Sequence, residues 1–202
     1  EGQIAAINKS QAVIEFDLAG NIQHANANFL AAVGYTLEEI VGRHHRMFVD
    51  EETHSSAAYA QFWAKLGRGE YDEGQYKRYG KGGRVIWIQA SYNPILDALG
   101  KPWKIVKYAS DITAAKMAVE STNAVVEAAM NNDLTRRIAT DGIVGDTLAL
   151  CNGVNALMAS YSEVVASVTV TASDVKNSSS EISAATGDLA RRTEQQAASL
   201  EE

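Results

Sequence analysis

Three of the four histidines in this 202-residue chain fall close together, His44, His45 and His54. Neutral imidazole ligates metals, and a buried imidazole hydrogen-bonds to its surroundings. The spacing leaves both chemistries open: a ligand for a metallocofactor, or a buried histidine bonded to the backbone. Catalysis finds no comparable constellation. No nucleophile–base pair with a supporting third residue stands out, and Gly80-Lys81-Gly82-Gly83-Arg84 lacks the spacing and Lys-Ser/Thr ending of a phosphate loop. Asp50, Glu51 and Glu52 form a run of charge where a helix would begin, a place its dipole favours acids. The chemistry reads as binding, and the chain is expected not to be an enzyme.

The rest of the sequence bounds where such a site can sit. The lone cysteine, Cys151, excludes an internal disulfide and any cysteine-based zinc site, and fits a reducing, cytoplasmic compartment. A net charge of −7 argues against nucleic acid or anionic lipid as the main partner. No run approaches the roughly 18 apolar residues of a membrane span, and no secretory leader is visible. Opening on Glu1 without a methionine, the chain reads as a piece of something longer. Of 15 aromatic residues, 14 precede Thr113, as do both prolines, and only Tyr161 follows. An aromatic, near-neutral domain therefore gives way near 113–117 to an acidic segment rich in Ala, Ser, Thr and Val.

The first part must position the histidines. Alternating apolar residues flank Gly20-Asn21, which predicts two strands and a tight hairpin. Helical pieces follow: one closing at Gly34, one opening at Thr36 with Glu39 completing a capping box, and one longer helix over 51–66. Three strand-like runs come next, GQYKRYG, RVIWIQASYNPILD and WKIVKYASDIT, separated by Gly82-Gly83 and Leu99-Gly100. Two strands, short helices and three long strands predict an α+β domain: one five-stranded antiparallel sheet with helices on one face and a cavity between.

The order and spacing of EFDLAGNI, GYTLEEIVGR, FWAKLGRGE, YKRYGKGG, WIQASYNPI and VKYASDIT resemble a PAS domain, in wording similar to the PAS domains of aerotaxis and energy-taxis receptors. The resemblance implies that Asp111-Ile112-Thr113 couples the last strand to an output helix, with Asp111 fixing the turn and Thr113 capping the helix. Set beside flavin photoreceptor domains, GRHHRMF places His45 at their reactive, inward-facing position and makes His44 a flank or cap. The resemblance thus implies haem b held through His45 as first cofactor, FAD as alternative, and possibly none, with His44, Trp63 and Trp87 near the group. The departures are specific. Aerotaxis receptors that bind flavin share Trp63 and Trp87 but carry an Arg-His pair near Phe48-Val49. One group of haem receptors ligates where this chain has Val49 and gates where it has Ala109, and oxygen-sensing kinases ligate near Ala57 or Ala58.

After Thr113 the pattern becomes helical, with Met117, Val125, Ala129 and Met130 as apolar positions, then a connector with Leu134 and Ile138 as buried candidates, then Asp146 placed to cap a second helix. Helix, connector and helix resemble a HAMP unit, a parallel four-helix bundle made by two chains; Asn132 stands where glycine commonly precedes Asp-Leu. From Val154, apolar residues recur every seven positions through Tyr161, Val168, Val175, Ile182 and Leu189, a coiled-coil seam. The closing DLARRTEQQAASLEE is similar to the adaptation region of methyl-accepting chemotaxis proteins, which implies Glu202, beside Glu201, as methyl acceptor.

The expected organisation is a linker over 1–11, a PAS sensor over 12–113, a HAMP-like relay over 114–165 and a coiled coil over 166–202. Such a chain would be a cytoplasmic chemoreceptor transducer working as a homodimer, with a chemotaxis histidine kinase and adaptor protein as partners. The alternatives are a PAS-linked kinase or cyclase fragment and a cofactor-free PAS dimerisation module.

Overall fold

The computed structural model of the chain describes residues 2–200. It divides at Met117/Ala118 into two compact units.

In the first unit, helix α1 (Gly2–Ser10) leads into β1 (Ala12–Phe16) and β2 (Ile22–Ala25). The turn between the two strands closes on Asp17, whose carboxylate accepts from the backbone and side-chain amides of Asn21, both at 2.8 Å. Helix α2 (Ala27–Val33) starts on Asn26, which accepts from Phe29 N at 2.9 Å, and ends on Gly34 in the left-handed region. Helix α3 (Leu37–Ile40) follows, with the Glu39 carboxylate reaching back to Thr36 N at 2.9 Å as the capping box predicts. A single 3-10 turn spans His45–Phe48. The longer helix expected over 51–66 is instead two, α4 (Glu51–His54) and α5 (Ala57–Gly67). Ser56 interrupts it because its hydroxyl caps Tyr59 N at 3.2 Å, a bond that starts a new helix.

Strands β3 (Asp72–Tyr79), β4 (Val85–Leu96) and β5 (Pro102–Asp111) complete one antiparallel sheet in the order β2-β1-β5-β4-β3. Strand alternation sends Ile86, Ile88, Ala90 and Tyr92 of β4 toward the helices, with Ile105, Lys107 and Ala109 of β5 beside them. With Ile14, Phe16, Phe48 and Leu66 these side chains form one buried core.

The second unit contains most of α6 (Thr113–Met130), an irregular connector and α7 (Gly145–Leu200). Helix α6 closes through Asn132 at φ 64, with Asp133 N donating to Ala128 O at 2.9 Å. The position where glycine was the expected residue thus takes the left-handed backbone that glycine favours and asparagine tolerates. Ala118, Val125, Ile138, Ile143, Cys151 and Met158 make a small core, and Leu134 packs against it. Met117 and Met130, expected on the apolar face of α6, are exposed, since the buried face runs through Ala118 and Val125. Asp146 lies within the first turn of α7 and does not precede it, so it is not the cap. Asn155 brackets Ile138, accepting from its N–H at 2.8 Å and donating to its C=O at 2.9 Å. Glu201 and Glu202 lie outside the described residues.

Candidate functional site

His45 stands on the 3-10 turn and is fully buried, as an inward position requires. His44, one residue earlier, accepts from Arg46 N at 3.1 Å and caps that turn. Around His45 close the rings of Phe16, Phe62, Trp63 and Tyr92, with Phe16 and Trp63 edge-on at 5.4 and 5.5 Å. Its Nδ1 lies 2.9 Å from Tyr59 Oη and its Nε2 lies 3.1 Å from Tyr92 Oη. Arg78 Nη2 donates to the same Tyr92 oxygen at 3.1 Å. One proton arrangement satisfies the chain: Arg78 donates to Tyr92, Tyr92 to Nε2, and Nδ1–H to Tyr59. Burial, then the charges of Arg78 and Lys107, hold the His45 imidazole well below its ordinary range, so it is neutral at pH 7. Burial also pushes the Tyr59 hydroxyl up to about 12.

This geometry corrects the first cofactor expectation. Haem needs one imidazole nitrogen free for iron, and each nitrogen of His45 already holds a tyrosine hydroxyl. The residues present do not fit haem b ligated by His45. Nor does Trp87 join this cluster. Strand alternation turns it to the opposite sheet face from Ile86 and Ile88, where Lys116 lies over its ring at 5.2 Å. Trp63 does belong, half-buried between His44 and His45. Gly20 fits closely against it: an added Cβ would sit 2.8 Å from His44 Nε2 and 2.9 Å from Trp63, at φ +87. His54 ends α4, half-buried.

Further along the same sheet face, a cavity of about 20 Å³ lies among Phe29, Val33, Phe48, Ile86, Arg78 and Lys107. Arg78 and Lys107 are 8% and 1% exposed, and sequence reasoning missed both. The signal was present for Lys107: in WKIVKYAS it shares parity with Ile105 and Ala109, so a charge occupies an inward slot.

The Asp111-Ile112-Thr113 junction is built across strands. Asp111 Oδ1 accepts from Thr113 N at 2.8 Å, Ile112 N donates to Trp87 O at 2.8 Å, and Trp87 N donates to Thr113 Oγ1 at 2.9 Å. The capping is therefore done by Asp111, while the Thr113 hydroxyl is spent on β4. Trp87, expected near a cofactor, works at this junction through its backbone.

The five-stranded order, the flanking helices and the inward turn residue define a PAS domain, and residues 22–109 match the family model described as the PAS fold. The chain carries a PAS domain. Among characterised proteins, it is 40% identical over 144 residues to the biofilm dispersion protein BdlA of Pseudomonas aeruginosa, covering 70% of this chain and 34% of that protein. It is also 38% identical over 80 residues to the aerotaxis receptor of Escherichia coli K12, covering 40% of this chain and 16% of the receptor. The chain thus spans about a third or less of these relatives. A solved light-oxygen-voltage domain studied with a flavin analogue aligns at 20% identity and a TM-score of 0.49, over 65% of this chain and 96% of that one. Among the described residues, no helix is long and apolar enough to cross a membrane, and no histidine, cysteine and carboxylate group is arranged to hold a metal ion.

Proposed function

We propose that this chain is the sensory input and relay of a chemoreceptor-type signal transducer, cytoplasmic and homodimeric. Its PAS domain, over 12–113, reads a cue between helices and sheet. A HAMP-like relay over 114–165 and a coiled coil over 166–202 carry the change to a chemotaxis histidine kinase and its adaptor, with Glu201 and Glu202 at the start of a methylated region. The observation that carries this reading is the junction: the start of α6 is hydrogen-bonded to β4, the strand that supplies Tyr92 and the floor of the cavity. Similarity to the biofilm dispersion protein supports it too. Only 21 residues precede the PAS match, so an alignment of 144 residues runs well past Ala109 into the helical part.

The test uses the full-length receptor reconstituted with its kinase and adaptor. Kinase phosphorylation should respond to the cue in wild type. Asp111→Ala should flatten that response while lowering domain stability by only about 1 kcal/mol, the size of a lost cap. A normal response from a markedly destabilised Asp111→Ala overturns the coupling role. FAD is the redox alternative for the cue, and a flavin absorption band in the purified receptor establishes it.

A further inference from the structure

We propose that Lys107 is a covalent capture site for a one-carbon aldehyde: its side-chain nitrogen adds formaldehyde, admitted to the small cavity beside it, and forms a methylene imine. The site stands on the PAS unit alone and does not depend on the receptor reading above.

Three observations meet at this nitrogen. Lys107 is 1% exposed and shares the inward face of β5 with Ile105 and Ala109. Its Nζ makes no hydrogen bond or ion pair among the described residues, and lies 5.0 Å from the ring centre of Tyr92 and 5.5 Å from that of Phe29. A second cation, the buried Arg78, lines the same cavity. The lining also includes the exposed Asp111 and the half-buried Ala12 and Ala32, the side from which a solute enters.

These surroundings set the chemistry. An amine attacks a carbonyl only with a free lone pair, and a desolvated lysine beside another cation is the arrangement that frees it. The two ring faces favour the ammonium. Burial, and then the charge of Arg78, outweigh them and hold the amine well below its ordinary range. At pH 7 an ordinary lysine, with a pKa of about 10.4, has fewer than about one amine in a thousand neutral. Lys107 has many more.

Size selects the partner. A cavity of about 20 Å³ is room for about one water. Formaldehyde, the smallest carbonyl compound, has two heavy atoms and leaves only its carbon on the nitrogen. The lone pair attacks that carbon, a C–N bond forms, and one amine proton passes to the oxygen. The hydroxyl then departs with the second amine proton as water, leaving N=CH2. Nothing is oxidised or reduced, and no part of the lining has to move for a tail.

The test treats the purified 202-residue chain with formaldehyde and cyanoborohydride at pH 7. The reductant converts each imine to N-methyl-lysine, which peptide mass spectrometry locates. Exposed Lys101 serves as the internal reference. Lys107 should be methylated at least tenfold faster than Lys101. Propanal in place of formaldehyde should lower that ratio at least tenfold, because its two further carbons have no room. Urea sufficient to unfold the sheet should bring the ratio near one. A ratio near one in the folded chain overturns the proposal, as does a ratio that propanal leaves unchanged or that persists in urea.

Discussion

The two units bury their apolar residues in opposite ways. In the PAS unit Ile14, Phe16, Ile40, Leu66 and Ile105 are all 0% exposed. Along α7 the heptad residues Tyr161, Val168, Val175, Ile182 and Leu189 are 55–67% exposed. The first unit closes its core within one chain. The second closes a core only as far as Met158 and then presents a stripe of one apolar residue every seven, which a lone helix has no way to cover. The contrast separates two kinds of burial: the sensor closes on intrachain packing, whereas the stripe of α7, on the homodimeric reading proposed above, would be covered by a second copy.

The sharpest way to break that contrast is to strike the closed core. Phe16→Ala removes a fully buried ring that meets both His45 and Trp63 edge-on, and should cost about 3–5 kcal/mol. Chemical denaturation should show the aromatic, sheet-bearing unit unfolding early while the dimer of the helical unit survives. Loss of both together would mean the units are not separable.

Val175→Asp strikes the other side. A charge in the seam should weaken self-association by at least tenfold, about 1.4 kcal/mol, and leave near-ultraviolet circular dichroism of the sensor unchanged. Sedimentation decides it; a wild-type monomer at tens of micromolar removes the dimer from the picture.

A third effect sharpens the comparison through pH. His45 is neutral when folded and has its ordinary affinity for protons when unfolded, facing Arg78, Lys107 and, on its own turn, His44. The folded pKa is depressed, so no penalty exists above pH 6.5. Below it the unfolded state gains a proton that the folded state refuses, and stability falls by up to about 1.4 kcal/mol per pH unit. His44, also depressed by burial and Arg46, adds to the fall. Melting curves from pH 7.5 to 5 should be shallower in His45→Gln; a parallel pair of curves assigns the acid sensitivity elsewhere.

What could be read in the sequence was local or periodic. The Gly20-Asn21 hairpin, the Thr36–Glu39 box and the three long strands each follow from a few neighbouring residues, whereas the inward His45 followed from the family resemblance. What escaped depends on distant elements meeting. His45 has its tyrosine partners 14 and 47 positions away, on α5 and β4, so nothing near it in the chain shows that both its nitrogens are taken. Trp87 and Lys107 are different, since each sits beside residues of known parity and strand alternation alone assigns the face. Asn155 carried no signal at all, because an amide on a helix reads as surface until a connector is folded against it.

The rung from Ile112 N–H to Trp87 C=O fixes more than the place where α6 begins. It fixes angular phase. An α-helix turns about 100° per residue, so a single residue inserted after Thr113 would rotate every later side chain of α6 by that amount about the helix axis. Seven inserted residues nearly restore the original facing, falling short by about 20°. Because Trp87 holds the rung with backbone atoms, its indole can change while the angle is kept.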